Sequence, residues 1–530
     1  MTDILAQIIS IWREVLAPAH VGPDTDFFDC GGNSLNAARI VARLVRDTRR
    51  PVRVRTLFEN PTPVKLAVAL SGTAGTGAGP RDVVAESGES ALVPLSSQQE
   101  AIWFTECLNP AARCHSCVTT VRLPKPLEPG RLRSALQYVI DRNEALRTSI
   151  SVADGEPVQM LSETAEADLR LRGRVGTDEL ARELRELSGT PFDVASPPLI
   201  FWVLYEDAVT GGSVLAQVEH HFVSDAWSAR LILEQIAQAY RGPALGQEAL
   251  VGYRAFARWQ RRWLDGADAA RQRDYWASLL AGDHGAVRFP HDERRPHVFS
   301  HRGATIRATL GPHLAGGLSM AATALAATPF SMMFAAFGIL IGAETGTSAL
   351  VVGTAYRNRQ PPFERTVGVF ANTLGIPVPR RAGRTFRDVV RDTSALLADG
   401  HDNQAIPLAA VARELRLRPQ LSRNPLYQVC LSMNDCPDRC LDFGDCEADG
   451  TDSISGGAKL DLDVVIVPSN GRHPWHMLWR YYTEILTAAE VTGLAGRYEA
   501  LLSFLLGNPD LTLPEDLLVP SHLGRREAHV

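Results

Sequence analysis

Hydrophobic positions in the first 70 residues recur at helical spacing. Five of them follow the i, i+3, i+4, i+7 and i+11 spacing that places side chains on one face of a helix. They are Leu5, Ile8, Ile9, Trp12 and Leu16. A second helix is predicted to begin at the turn over residues 31–34, and a last short helix runs from Thr62-Pro63 to Leu70. The pattern predicts a small four-helix bundle.

After this bundle the hydrophobic pattern changes twice. Residues 71–91 are small, rich in glycine and without periodicity, which indicates a flexible linker. Beyond them, strand-like runs at 214–220 and 348–354 alternate with helix-like runs at 226–240 and 329–340, which predicts an α/β architecture. The helix over 226–240 is expected to face inward through four side chains, namely Leu231, Ile232, Ile236 and Ala239.

The α/β part is too long for one hydrophobic core and should divide into two lobes. The predicted organisation is a helical domain over 1–70, a linker over 71–91, lobes over 92–265 and 266–520, and a tail over 521–530. No internal repeat interrupts this order.

Composition and charge exclude several classes of protein. Hydrophobic residues make up 45% and charged residues 22% of the 530 residues, as expected of a folded globular chain. The 54 basic and 60 acidic side chains leave a net charge of −6, which is unfavourable for nucleic-acid binding. The sequence begins without a secretory signal, and its longest apolar stretch, 318–343, is interrupted at Thr328-Pro329. We therefore expect a cytoplasmic protein with two buried helices in this stretch and no membrane span.

Ser34 is the first candidate for chemistry. It follows two glycines at a predicted helix start, where the helix favours a phosphate on the hydroxyl, although such a serine is more often a simple helix cap. The segment 26–35, DFFDCGGNSL, resembles the modification site of peptidyl carrier proteins from nonribosomal peptide synthetases, and 57–62 resembles a later carrier signature. The resemblance implies that Ser34 carries 4′-phosphopantetheine, whose thiol holds an acyl group as a thioester.

The paired histidines His220 and His221 are the second candidate. They lie in segment 218–228, VEHHFVSDAWS, where a predicted strand gives way to a helix. Rigid elements position side chains well at such junctions, and histidine exchanges protons near neutral pH. The residues alone also allow a structural role or metal binding. A shared zinc ion is less favourable, because neighbours on a strand point to opposite faces.

Several motifs occur in the order found in condensation domains of nonribosomal peptide synthetases, which this part of the chain resembles. The histidine segment matches the HHxxxDG pattern, except that Ala226 replaces the glycine, which puts substrate range in question more than activity. The other matching segments are 96–104, 275–282, 353–359, 367–374, 401–407, 423–429 and 459–462. The resemblance implies two chloramphenicol-acetyltransferase-like lobes that meet in a V, with a tunnel past the histidines.

The resemblance also implies roles for single residues. His221 is expected to face the tunnel, where a donor thioester meets an acceptor amine, and His220 to support the strand. Asp225 is expected to pair with Arg359 and hold the histidine loop. Asn372 belongs to the same supporting set through the motif over 367–374.

The predicted function is amide formation in nonribosomal peptide synthesis. The carrier at Ser34 donates an acyl or peptidyl group to the amine of an aminoacyl-carrier acceptor. The implied partners are that downstream acceptor, an adenylation domain and a phosphopantetheinyl transferase.

Three alternatives are retained. An epimerisation domain also has two histidines, but its motif typically continues DGxSWR. A specialised condensation variant could form an ester or react at a modified side chain. A catalytically silent condensation-like platform could recruit a tailoring enzyme. A heterocyclisation domain would carry aspartate in place of His220, which this chain does not.

The eight cysteines are too sparse for a disulfide scaffold. Cys114 and Cys117 have CxxC spacing, and Cys436, Cys440 and Cys446 are close in sequence. A structural zinc site needs four ligands that converge, and spacing alone does not provide convergence. We therefore predict incidental thiols and no bound metal.

Overall fold

A computed structural model describes most of the chain. The described residues are 2–16, 20–27, 30, 37, 40–41, 43–44, 47–48, 50, 52, 54–71, 92–110, 112–242, 250–282, 284–347, 349–359, 362–379, 383–418, 420–434, 441–444, 446–448, 451–469 and 474–514. Ser34, linker residues 72–91 and the tail over 521–530 lie outside this set. Two compact units are formed. The first comprises Met1–Gly266, Arg359–Ala371 and Asp438–Gly456, and the second comprises Ala267–Asn358, Asn372–Pro437 and Gly457–Val530.

The first 71 residues contribute helices packed through apolar side chains. Their bounds are α1, Thr2–Val15; α2, Val54–Glu59; and α3, Pro63–Ser71. Between α1 and α2, residues 37, 40, 41, 43, 44, 47 and 48 are also helical. The ring of Trp12 is fully buried and meets Phe27 edge-on at 5.5 Å. The predicted inward face of α1 was partly wrong, because Leu5 and Ile9 are half-buried. Between residues 4 and 16, the buried side chains are Ile4, Ile8, Ile11, Trp12 and Leu16.

The rest of the first unit is built on a five-stranded sheet and a three-stranded sheet. In chain order, its elements are β1, Leu92–Pro94; α4, Ser97–Leu108; β2, Ser116–Leu123; α5, Pro129–Arg142; β3, Thr148–Ala153; β4, Glu156–Leu161; β5, Leu169–Val175; α6, Thr177–Ser188; β6, Ile200–Asp207; β7, Ser213–His220; α7, Ala226–Arg241; α8, Tyr253–Leu264; and, from a later part of the chain, β12, Thr451–Ser455. The strand orders are β12-β2-β7-β6-β5 and β1-β4-β3.

Strand β7 lies in the interior of the larger sheet and ends at His220. It pairs antiparallel with β2 on one side and β6 on the other, and all its side chains are buried. The predictions of a strand over 214–220 and a helix over 226–240 are confirmed. In α7, Ile232 and Ile236 are buried as expected, but Leu231 and Ala239 are only half-buried. Their places in the core are taken by Leu233, Ala237 and Tyr240.

The second unit contains a six-stranded mixed sheet flanked by helices. Its elements are α9, Ala267–Leu279; β8, Gly303–Thr309; α10, Pro312–Leu325; α11, Pro329–Thr345; β9, Val351–Tyr356; β10, Asn372–Pro377; α12, Phe386–Asp402; α13, Leu408–Glu414; β11, Val429–Met433; β13, Leu462–Val467; β14, His476–Tyr482; and α14, Ala488–Gly507. The strand order is β10-β9-β11-β13-β14-β8. The pairs β9–β11 and β11–β13 are parallel, and the other neighbours are antiparallel.

The long apolar stretch forms two helices, as predicted, but the prediction that both are buried was wrong for α10. Thr328 caps α11, because its hydroxyl accepts a hydrogen bond from the backbone N–H of Ser331, and Pro329 occupies the first turn. Helix α11 is deeply buried, whereas α10 buries few side chains, Leu314 and Leu318 among them. Within the described residues, no helix combines the length and the apolar character needed to cross a bilayer.

Substitution of Gly353 tests the packing of the second sheet. A Cβ atom at this position in β9 would lie 2.7 Å from Cε2 of the buried Tyr427 ring. We expect Gly353→Ala to lower the free energy of unfolding by about 1–3 kcal/mol, because the ring must shift. Urea unfolding followed by tryptophan fluorescence measures the change. Gly173→Ala in β5 is the matched control, because nothing lies within 4 Å of its added Cβ. Equal losses in the two variants would contradict this packing.

Candidate active site

The loop between β7 and α7 places His221 at the end of a buried strand. The His221 backbone N–H donates to the carbonyl of His115 at 2.9 Å, which continues the pairing of β7 with the β2 side of the sheet. The amide of Gln99, in α4, donates to the carbonyl of Phe222 at 3.2 Å. The loop is therefore fixed by backbone contacts on both sides, and the His221 side chain keeps partial exposure.

Hydrogen bonding selects one tautomer of His221. Its Nδ1 lies 3.0 Å from the carbonyl oxygen of Ser224, which can only accept a hydrogen bond. Nδ1 therefore carries the proton in the neutral ring, and Nε2 presents a lone pair. The thiol of Cys117 lies on the Nε2 side of the ring, with a distance of 3.4 Å between Sγ and Nε2.

The carboxylate of Asp225 is buried and accepts hydrogen bonds at both oxygens. Oδ1 accepts from the backbone N–H of Ser228 at 2.8 Å, which caps α7, and from Arg359 at 2.9 Å. Oδ2 accepts from the backbone N–H groups of Phe370 at 2.9 Å and Ala371 at 3.1 Å. Burial alone would raise the pKa of Asp225, but the Arg359 charge and these donors outweigh it and lower the pKa.

Arg359 donates hydrogen bonds from both of its terminal guanidinium nitrogens. Its side chain is 3% exposed, so the ion pair with Asp225 is shielded from water. Nη1 donates to the carbonyl of Thr366 at 2.6 Å, and the guanidinium lies 4.2 Å from the centre of the Phe370 ring. Together with the Asp225 contacts, these bonds attach the segment Arg359–Ala371 to the start of α7. The sequence resemblance implied this pair.

Ala226 is the first residue of α7 and is exposed. Its φ lies outside the left-handed region, so its backbone conformation does not require the glycine of the family motif. Asn372 begins β10 in the second unit. Its amide donates to the carbonyls of Gln404 at 2.8 Å and Ile406 at 2.7 Å, which is a structural contact within that unit.

His220 belongs to a different cluster from His221. Glu106 Oε1 lies 2.9 Å from Nδ1 of His115 and 3.4 Å from Nε2 of His220. Burial alone would raise the pKa of Glu106, but the two histidines outweigh it and hold the pKa at about 2. The backbone N–H of Phe222 donates to Nδ1 of His220 at 3.2 Å, so the neutral ring carries its proton on Nε2, facing Glu106.

The three side chains of this cluster are also the one group of potential metal ligands found among the described residues. Their donor atoms lie within 4.8 Å of one another. A metal at Nε2 of His220 would require the opposite tautomer, with an Nδ1 proton pointing at the N–H of Phe222. The hydrogen-bonded arrangement therefore fits these residues better than a metal ion does.

The described cysteines are reduced. Cys30, Cys107, Cys114, Cys117, Cys430 and Cys446 form no disulfide, and Cys436 and Cys440 lie outside the described residues. Sequence reasoning treated Cys117 only as half of a CxxC pair, and it did not single out Glu106 or Ser224. The pairing of Cys117 with Glu219 across β2 and β7 depends on strand register, for which the sequence carried no signal.

Comparisons with known proteins agree with this geometry. The condensation domain family matches residues 89–523, which is most of the chain, and the phosphopantetheine attachment site family matches residues 6–70. The solved condensation domain of the monacolin K polyketide synthase MokA has a TM-score of 0.71 at 18% identity, and the match covers 82% of this chain and 100% of that one. The fold is thus that of a condensation domain.

Several proteins of similar sequence are peptide synthetases. Gramicidin S synthase 2 from Brevibacillus brevis is 28% identical over 520 residues, which cover 97% of this chain and 11% of that protein. Tyrocidine synthase 3 from Brevibacillus parabrevis is also 28% identical over 520 residues, which cover 97% of this chain and 8% of that protein. The chain spans about a tenth of the length of these relatives.

The chain belongs to the condensation domain family and carries a phosphopantetheine attachment domain at its N-terminal end, the arrangement of a carrier–condensation didomain of nonribosomal peptide synthetases. The expected family and fold class are confirmed. The attachment domain is the part of the chain that carries 4′-phosphopantetheine. The assignment of single residues, Ser34 among them, stays a prediction.

Removal of the Asp225 charge tests the buried ion pair. Asp225→Asn leaves Arg359 charged, buried and without its counter-ion, so we expect a loss of about 3–5 kcal/mol in the free energy of unfolding. Asp168→Asn is the matched control, because Asp168 pairs with Arg170 at 2.7 Å with both side chains nearly half exposed. The free energy of unfolding should fall by less than about 1 kcal/mol in Asp168→Asn. Similar unfolding curves for the two variants would refute the anchoring role of Asp225.

The Glu106 cluster predicts a specific dependence of stability on pH. The pKa of Glu106 is lowered from 4.5 to about 2, so its carboxylate stabilises the folded chain above pH 4.5. This contribution is lost as the pH falls toward 2. Wild type should therefore lose more stability between pH 6 and pH 3 than Glu106→Gln does, as measured by urea unfolding at each pH. The exposed Glu166 provides the control variant, Glu166→Gln, which should follow wild type.

Proposed function

We propose that this chain forms amide bonds between carrier-bound substrates. The amine nitrogen of an aminoacyl acceptor attacks the carbonyl carbon of the donor thioester, a C–N bond forms and the C–S bond breaks. The proton lost by nitrogen ends on the departing sulfur, which leaves as a thiol. The donor acyl group is held at Ser34, and the acceptor comes from a downstream carrier. An adenylation domain and a phosphopantetheinyl transferase supply the loaded carriers.

The acidity of the amine limits what the protein must contribute. A free α-amine has a pKa of about 7.7–8, so its deprotonation at pH 7 costs only about 1 kcal/mol. Most of the acceleration must therefore come from holding amine and thioester together. The nitrogen becomes far more acidic once it has attacked the carbonyl, and a base is useful at that stage.

The tautomer of His221 is the observation that carries the proposal. Because Nδ1 donates to the Ser224 carbonyl at 3.0 Å, the lone pair of the neutral ring lies on Nε2, and this nitrogen accepts the proton from the attacking nitrogen. The same nitrogen then returns the proton to the departing sulfur. Asp225 contributes as a positioning residue, because it anchors the loop through Arg359.

This arrangement favours catalysis over a silent recruiting platform. A protein that only recruits another enzyme does not require a histidine whose tautomer is selected by a backbone carbonyl. It also does not require a buried ion pair that anchors the histidine loop. The methyl group of Ala226 is exposed at the start of α7, and the helical backbone there accommodates it. The replacement of glycine at this position therefore leaves the His221 arrangement intact.

Intact-protein mass spectrometry tests the reaction directly. The full chain is loaded at Ser34 with an acyl-pantetheine by a phosphopantetheinyl transferase and mixed with an aminoacyl-carrier acceptor. We expect the acyl mass to move to the acceptor, and we expect His221→Ala to slow the transfer by about 10²–10⁴-fold, because the proton acceptor is gone.

Two controls sharpen this experiment. His313→Ala removes an exposed histidine of α10 and should leave the transfer rate unchanged. Ser34→Ala should fail to take up the pantetheine at all. Normal loading without transfer to any acceptor tried would contradict amide formation and favour the recruiting platform.

A further inference from the structure

A thiol shares the His221 site. Cys117 lies in β2 directly opposite Glu219 of β7, and its sulfur is 3.4 Å from Nε2 of His221. Both side chains are partly exposed. The distance is within the range for a hydrogen bond to sulfur, and Nε2 carries the lone pair, so the thiol is the donor.

The three groups have the arrangement of an activated nucleophile. A nucleophilic side chain within hydrogen-bond reach of a base, with a third group that orients the base, is the recurrent geometry of covalent catalysis. Here the thiol of Cys117 faces the base His221, and the carbonyl of Ser224 orients the ring. Cysteine is an effective nucleophile toward thioesters, since one thioester simply replaces another.

The side chain opposite Cys117 is the buried carboxyl group of Glu219. Burial raises the pKa of the Glu219 carboxyl well above its usual value, which favours the uncharged form of this group. The amide of Gln217 donates to it at 2.9 Å and satisfies one oxygen. In its uncharged form, this carboxyl group repels a developing negative charge on sulfur less than a carboxylate would.

We propose that Cys117 accepts the donor acyl group and holds it as a thioester before the amine attacks. In the first step, the Cys117 sulfur bonds to the acyl carbonyl carbon, the donor C–S bond breaks, and His221 Nε2 passes the thiol proton to the departing donor sulfur. In the second step, the acceptor nitrogen bonds to the same carbon, the Cys117–acyl bond breaks, and His221 returns the nitrogen proton to Cys117. This inference rests on the proposed function, since it divides that reaction into two steps.

The test uses the full chain as Ser34→Ala, so that no pantetheine is attached. It is incubated with the octanoyl thioester of N-acetylcysteamine in the absence of any amine, and the mass is followed. We expect one acyl mass on the peptide that contains Cys117, removable by hydroxylamine and absent in Cys117→Ala. His221→Ala should slow its formation by about 10²-fold. Cys114→Ala is the matched control, because this buried thiol lies in the same segment and its loss should leave the adduct.

A second measurement separates this inference from the proposed function. Cys117→Val keeps an apolar side chain in place of the thiol, and it is compared with wild type for amide formation from a Ser34-bound donor. We expect at least a ~10-fold lower single-turnover rate. If Cys117→Val forms the amide at the same rate as wild type, the proposed role of Cys117 is wrong and the proposed function stands. An adduct that yields no amide when an aminoacyl thioester is added also overturns it. No amide from any variant refutes the proposed function itself.

Discussion

The negative charge of Asp225 is almost completely removed from water, and the surrounding structure is arranged to compensate for it. Taking a carboxylate and a guanidinium out of water costs several kcal/mol per ion, and the loss is offset only where every lone pair finds a donor. At Asp225 the donors come from the first turn of α7, from Arg359 and from the backbone at Phe370 and Ala371. Because these donors are far apart in sequence, the carboxylate fixes the segment Arg359–Ala371 to the histidine loop.

The anchoring of Asp225 also fixes the residue before it, Ser224. Ser224 is held between the anchored Asp225 and the end of β7, and its carbonyl meets Nδ1 of His221. The direction of that carbonyl decides which ring nitrogen keeps its lone pair. The lone pair on Nε2 can then serve an amine, a departing sulfur or the thiol of Cys117. Proton transfer at this site therefore depends on backbone geometry.

Sequence patterns predicted those elements whose signal is local. The strand that ends at His220 and the helix that begins at Ala226 follow from the periodicity of their apolar residues. The inward face of that helix was only partly right, because Leu231 and Leu233 both fit an apolar face and only the packing partners decide between them. Cys117 could not be placed beside His221, because their contact depends on the register of two strands about a hundred residues apart. Motif order, rather than composition, led to the family.

The protonation state of the His221 ring tests this account most directly. Two-dimensional NMR of the full chain with ¹⁵N-labelled histidine distinguishes the tautomers, and the His221→Ala spectrum assigns the signal. We expect the neutral ring to carry its proton on Nδ1 and its lone pair on Nε2. A proton on Nε2 in the neutral ring would contradict it, because neither an amine nor the Cys117 thiol could then be deprotonated there.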